Sequence, residues 1–238
     1  MARTVKPEAF AAKRRAILDA AQRLVFTKGY EQMSIQDILD DVGISSGAFH
    51  HYFDSRGALL EAFIERIKQE VEKPLLPIIH DPSLSAIEKL QGFFDTLDRL
   101  RIAHKADVVR LGRVWYTDDN VIVRQKVDEA VREQRAPLLT EIVRQGVRED
   151  SFTTAYPDKA GEVILSLLQG MGNTHARLLL SFEQEGDDLR RIEEIVTTHA
   201  AYMDAVERVL GAPPHSFSRT DTEAVNVWVA AVRGNGHA

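Results

Sequence analysis

Hydrophobic residues recur at helical spacing along most of the chain, and nowhere with the two-residue alternation of a half-buried strand. Ile17, Ala21, Leu24 and Val25 mark a first helix over Pro7 to Thr27, with Lys28-Gly29 as its stop. In residues 34–53, SIQDILDDVGISSGAFHHYF, Ser34 is placed to cap a helix, Asp37 completes a capping-box-like start, and Ile35, Ile38, Leu39 and Val42 share one face. Gly43 stands where a corner needs positive φ, and Ser45 can cap a second short helix. Phe49, Tyr52 and Phe53 are spaced to pack inward, which leaves Ser46, Gly47, Ala48, His50 and His51 outward on a small, polar, acid-free face.

The periodicity continues. Leu59, Leu60, Phe63, Ile64, Ile67 and Val71 predict a helix from Ser55 to Lys73, ended by Pro74 and Pro77. Further helices are expected over about Ser83 to His104, Ala106 to Tyr116, and Val121 to Arg148, with a turn at Thr117 to Asn120. Pro137 should loosen the last of these near Glu133. Tyr156-Pro157 opens another helix reaching Ser181 or Phe182, and Asp187 or Asp188 starts a long one ending at Leu210-Gly211. Ala212 to Ser216 reads as a linker, Asp221 to Arg233 as a short amphipathic helix, and the Gly-Asn-Gly-His end as a frayed tail. The predicted class is all-α.

Composition narrows the chemistry. With 238 residues, 44% hydrophobic and 28% charged, the chain has ample material for a core. It has no Cys, which removes disulfides, thiolate metal sites and cysteine nucleophiles. The charged start of the chain and the lack of an apolar run of about 18 residues predict a cytoplasmic protein with no membrane partner. The net charge of −6 is uneven: the first fifteen residues hold Arg3, Lys6, Lys13, Arg14 and Arg15 against Glu8 alone, a local basic arm suited to phosphates. His50 and His51 are adjacent and so diverge on a helix, and the other His residues lack metal-binding spacing. With no phosphate loop, nucleophile elbow or dinucleotide glycine pattern either, neither an enzyme, a metal site nor a cofactor is expected.

The stretch from Lys13 to Leu60 resembles the TetR/AcrR family of transcriptional repressors. The resemblance is carried by Phe26-x-x-Gly29-Tyr30, Ser34-Ile35-x-x-Ile38, Val42-Gly43-Ile44-Ser45-x-Gly47-x-Phe49, His51-Tyr52-Phe53 and Ser55-Arg56-x-x-Leu59-Leu60. It implies a three-helix DNA-binding head with a helix-turn-helix over residues 1–56, a helical bundle for ligand binding and dimerisation over 57–211, and an extension over 212–238. The expected DNA-contacting set is Ser34, Ser45, Ser46, Gly47, Ala48, His50, His51 and Arg56. Ser46, Ala48 and His51 are expected at base edges and Ser34, His50 and Arg56 at phosphates. The family usually has Tyr at the position of His50, so that contact would fall to an imidazole. Arg56 stands where the family carries a phosphate-contacting Lys.

The resemblance further implies a double-stranded operator as partner and release by a small, mostly apolar effector. Candidates to line its pocket are Phe63, Phe93, Phe94, Leu97, His104, Arg110, Arg113, Trp115, Tyr116 and Gln125, with core packing as the rival role of each aromatic. Two strongly apolar late helices suggest a homodimer through Val163, Leu167, Gly170, Met171, His175, Leu178, Ile195, His199, Tyr202, Met203 and Val206, the alternative being that they fill the protomer's own core. A helical ligand carrier without DNA binding is the other function these features allow.

Overall fold

The computed structural model describes residues 7–116 and 120–234, apart from the side chain of Val71. Arg3 and Lys6 of the basic arm, residues 117–119 of the expected turn, and the tail 235–238 lie outside the described residues. Among the described residues all regular structure is helical: α1 Pro7–Lys28, α2 Ile35–Val42, α3 Ser46–His50, α4 Arg56–Ile79, α5 Ala86–Ala103, α6 Lys105–Trp115, α7 Val121–Arg148, α8 Pro157–Leu180, a 3-10 turn Ser181–Glu183, α9 Asp188–Leu210 and α10 Thr222–Gly234. None of these helices is long and apolar enough to cross a membrane. The chain divides into two compact units, one comprising Met1–Gln69 with Arg110–Asp128 and the other Glu70–Val109 with Glu129–Ala238.

In the first unit, α1 buries Ile17, Leu18, Ala21 and Val25 along one face and stops at Gly29, whose φ of 87° is open to glycine at little cost. Ile38, Leu39, Phe49, Phe53, Leu59, Leu60 and Phe63 are all buried in the same unit. Each such side chain contributes about 1.5–3 kcal/mol on leaving water. A more specific tie holds the corner before α2. The Asn120 side chain is fully buried, accepts from the Tyr30 N–H at 2.8 Å and donates to the Val114 carbonyl at 2.8 Å. One amide thus joins the α1–α2 corner to the end of α6.

The second unit is built around Leu75, Ile79, Leu90, Phe93, Leu139, Ile142, Phe152, Ile164, Met203, Val206 and Leu210. Here α4 departs from the sequence expectation, running through Pro74 and Pro77 to Ile79 instead of ending at Lys73. An internal Pro costs about 3 kcal/mol in a helix. Leu75 and Ile79, one turn apart, are completely buried, and about 1.5–3 kcal/mol from each offsets much of that cost. α5 begins two residues later than its nearest polar cue suggests. Ser83 is occupied by Asp81, to whose Oδ1 both its N–H and hydroxyl donate, whereas Ser85 and Glu88 form a reciprocal capping box.

The linker expected over residues 212–216, and the residues to 220 after it, are stitched to α9. The buried Glu207 carboxylate accepts from the N–H groups of His215 and Phe217 and from Arg219 at 2.8 Å. These donors hold its carboxyl below the usual range, against a burial effect of opposite sign. Phe217 is buried against Phe94. α10 then packs on α8, α9 and the 3-10 turn, burying Val225, Val229 and Val232 beside Phe182, Ile192 and Ile195.

Candidate nucleic-acid interface

The α2–α3 corner is fixed at both ends by its own sequence. The Ser34 hydroxyl accepts from the Asp37 N–H at 3.1 Å while the Asp37 carboxylate accepts from the Ser34 N–H at 2.7 Å, closing a capping box. Lys28 adds an ion pair to Asp37 at 2.7 Å, and these contacts hold the Asp37 carboxyl well below the ordinary carboxylate range, the Lys28 contact foremost. At the turn, Gly43 adopts φ 66° and ψ 49°, and the Ile44 N–H donates to the Leu39 carbonyl. A side chain at Gly43 would meet nothing within 4 Å, so its requirement is conformational rather than spatial. The Ser45 hydroxyl accepts from the Ala48 N–H and starts α3.

Phe49 is fully buried beneath α3 and Phe53 nearly so, and this anchor turns the opposite face out. Ser45, Ser46, Gly47, His50 and His51 are exposed and Ala48 is half-buried. A Cβ added at Gly47 would meet open space, so no packing inside the chain calls for glycine there. The face contains no carboxylate.

Three residues of α1 that the helical pattern did not single out as positioning groups shape this face. Phe10 lies edge-on to His51, ring centres 5.4 Å apart, and stacks obliquely on Tyr52 at 4.8 Å. The Arg14 guanidinium sits 4.7 Å from the Phe53 ring centre, and Lys13 Nζ donates to the Val42 carbonyl at the end of α2, where a cation complements the helix dipole. Their sequence signal, a basic and aromatic start to α1, was legible only as a phosphate-seeking arm.

Arg56, which the resemblance puts at a phosphate, has partners inside the chain: its guanidinium donates to the Tyr30 carbonyl, lies 3.9 Å from the Tyr30 ring centre and is 3.9 Å from Glu31. A planar fork that meets a carbonyl, a ring and a carboxylate together is held by the fold, and a phosphate would have to displace these partners. The Ser34 hydroxyl is likewise engaged in its capping box, leaving any contact there to share that oxygen.

The residues expected to line an effector pocket divide between the units. Phe63, Arg110, Arg113, Trp115, Tyr116 and Gln125 belong to the first, Phe93, Phe94, Leu97 and His104 to the second. Phe63, Phe93 and Leu97 are core residues, Phe94 packs against that core, and His104, Arg110 and Gln125 are exposed.

Of the expected dimer residues, Ile195, Met203 and Val206 are buried in the protomer's own core, the alternative role the sequence left open for them. Gly170 likewise serves the protomer, for a Cβ there would come within 3.1 Å of Tyr202 Oη. His175 and His199 stack on each other, ring centres 5.9 Å apart, and the His199 Nδ1 accepts from the Thr220 N–H. Leu178 packs partly against the α10 cluster. Val163 is exposed, and Leu167 and Met171 are half-buried.

The head matches known proteins. Residues 17–63 fit the model of bacterial regulatory proteins of the tetR family. An uncharacterized HTH-type transcriptional regulator in the lacX 3' region of Lactococcus lactis subsp. lactis is 35% identical over 79 residues, 33% of this chain and 40% of its own. The HTH-type transcriptional regulator BetI of Escherichia coli is 29% identical over 96 residues, 40% of this chain and 49% of its own. The chain thus spans less than half the length of these two curated relatives. Bacillus subtilis YvdT, an uncharacterized HTH-type regulator, is 24% identical over 181 residues, 75% of this chain and 89% of its own.

Solved structures extend the likeness in fold to most of the chain. The SmeT–triclosan complex superposes with a TM-score of 0.64 at 13% identity, over 89% of this chain and 97% of SmeT. The reduced form of E. coli NemR gives 0.55 at 17% identity, over 85% and 99%. With a capped helix-turn-helix, an acid-free outer face and these likenesses in place, residues 17–63 form a helix-turn-helix head of the tetR type found in bacterial transcriptional regulators, on a chain whose fold is similar to solved members of that family.

Proposed function

We propose that this protein is a ligand-responsive repressor, not an enzyme, that binds a near-palindromic operator as a homodimer in the cytoplasm and is released by a small, mostly apolar effector. The observation that carries the reading is the outer face of α3. It presents Ser46, Gly47, Ala48, His50 and His51 with no acid among them, on a helix pinned by Phe49. A face of small side chains admits the floor of a major groove, and the bare Gly47 lets backbone approach closely. In this reading Ser46, Ala48 and His51 meet base edges, Ala48 through a thymine methyl. His50 and the backbone amides at Ser45 and Gly47 meet phosphates, with Ser34 beside them.

A single five-residue helix cannot supply operator affinity, so two heads on a two-fold axis, about 34–36 Å apart, are required to read successive grooves. Val163, Leu167 and Met171, still wholly or partly exposed on α8, support a second copy as the cover of that helix. An effector binding one state better than the other would oppose operator binding reciprocally, by about 1–3 kcal/mol. SmeT, similar in fold, was solved with triclosan, which supports a small-molecule site in the helical part of this chain.

The test is recovery of bound genomic fragments, followed by gel shift with wild type, Ser46→Glu and Ala48→Asp. Loss of binding in both variants, with unchanged helical content, is expected. Wild type that shifts no fragment, or variants that bind as tightly, would favour a ligand carrier.

A further inference from the structure

Among the described residues, three arginines have an Nε sealed from solvent without a partner: Arg56, Arg66 and Arg135. The first two spend their other nitrogens on the fold, Arg56 on the Tyr30 carbonyl and Arg66 on Asp19 and Gln22. Arg135 differs. Among the described residues no carbonyl or carboxylate takes a hydrogen bond or ion pair from it, and the charge that bears on it is another cation, Arg101, already paired with Asp98 at 3.1 Å. Burial, with Arg101 adding repulsion, pushes the Arg135 guanidinium down to about 10. A half-buried cation without a counter-charge carries part of the cost of desolvation into the folded state.

The residue as a whole is half-buried, with its Nε sealed from solvent. On α7, Arg135 stands one turn after Val131 and one turn before Leu138 and Leu139, all three part of the second unit's core or packed against it. On α8, which meets α7 closely where Gly161 lies against Ala136 and Thr140, two further polar atoms are sealed and unpartnered: Gln169 Nε2 and His175 Nε2. Gln169 follows Leu165 by one turn and Leu168 by one residue, again on the core-facing stripe. His175 feels the charge of the same Arg101. Arg135 Nε, Gln169 Nε2 and His175 Nε2 thus stand unpartnered on two helices that meet at Gly161, beside leucine and valine.

We propose that Arg135 anchors the effector of this regulator, and that the effector is an organic carboxylate with an apolar body. Its carboxylate pairs in bidentate fashion with the guanidinium and takes a hydrogen bond from Gln169 Nε2, while its body lies among Leu97, Leu138, Leu165 and Leu168. This rests on the repressor reading and names the chemistry of its ligand. The apolar surround disfavours small hydrated anions.

The test uses the full chain, with octanoate and benzoate as probes, octanamide as the neutral analogue and inorganic phosphate as the hydrated anion. Calorimetry of wild type is expected to show a rise of several degrees in Tm with at least one carboxylate at millimolar concentration, and none with octanamide or phosphate. In Arg135→Met the carboxylate response should weaken at least tenfold. Without ligand this variant should melt no lower than wild type, since it removes an unpaired charge and keeps the length. Silence to both carboxylates, an equal response to octanamide or phosphate, an undiminished response in Arg135→Met, or a lower unliganded Tm would each overturn the proposal. A gel shift on recovered operator DNA separates the two readings. Wild type that binds DNA but is not released by any carboxylate sinks the effector class alone, and an Arg135-dependent carboxylate response in a protein that binds no DNA sinks the repressor reading alone.

Discussion

Asn120→Ala should loosen the reading head without touching any residue that faces DNA. Asn120 is wholly buried and makes two 2.8 Å hydrogen bonds, one from the Tyr30 N–H and one to the Val114 carbonyl. Each bond contributes about 1 kcal/mol net, and truncation also strands a buried Tyr30 N–H at a further cost of about 1–3 kcal/mol. The expected loss is therefore about 2–4 kcal/mol, or a fall in Tm of roughly 5–15 °C for a chain of this size. Urea titration followed by the fluorescence of Trp115, in the same unit, reads the effect locally, and Trp228 in the other unit serves as a comparison in a Trp115→Phe background. Asn120→Asp sharpens the test, because it keeps the acceptor for Tyr30 but turns an acceptor-only carboxylate toward the Val114 carbonyl. That variant should be at least as damaged at pH 7 and should recover partly on acidification, as its raised carboxyl pKa is crossed from above. A change below about 0.5 kcal/mol for Asn120→Ala would refute the view that this amide holds the corner.

Four further outcomes follow from the same structure. Arg56→Ala should cost about 1–2 kcal/mol of stability by removing the Tyr30 clip; urea titration checks it, and salt-dependent DNA affinity should keep its slope, whereas a slope lower by about one would restore a phosphate role. Ser34→Ala should lose about 0.5–2 kcal/mol through its capping box, seen in thermal melts, with Ser34→Asp recovering most of it. Gly43→Ala should destabilise by about 1 kcal/mol through positive φ alone, since no neighbour is met; Gly43→Asn should cost less in the same melt. Burial first, then the His199 charge, pushes His175 down to about 4, so protonation favours the unfolded chain. Stability contributed by the neutral ring is fully present above about pH 6.5 and lost as pH falls toward 4, at most about 3 kcal/mol. His175→Gln should flatten stability against pH across that window.

The helices and the three caps of the recognition corner were legible because they depend on neighbours in sequence: Ser34 with Asp37, Gly43 with Leu39, Ser45 with Ala48. The fate of Pro74 and Pro77 was not, since local chemistry says stop and only the burial of Leu75 and Ile79 says continue. The contact of Arg56 with Tyr30 was hidden for a similar reason. Its family position points to phosphate, while the Tyr30 carbonyl that claims it lies 26 residues away in sequence. Asn120, 90 residues from Tyr30, left no local trace at all. On α9, the apolar stripe of Ile195, Met203 and Val206 looks the same in sequence whether it faces a second copy or its own core, and in the protomer these three side chains are buried.

The carboxylate of Glu207 sets a practical limit on how this chain is trimmed. A shortened form ending at the Gly211 cap would keep the acid sealed in α9 while discarding all three of its donors, and would strip Val225, Val229 and Val232 from the apolar ground around Phe182 and Ile192. Crystallographers tempted to delete the last 27 residues as an ornament should expect inclusion bodies; a cut after Gly234 leaves the fastening intact.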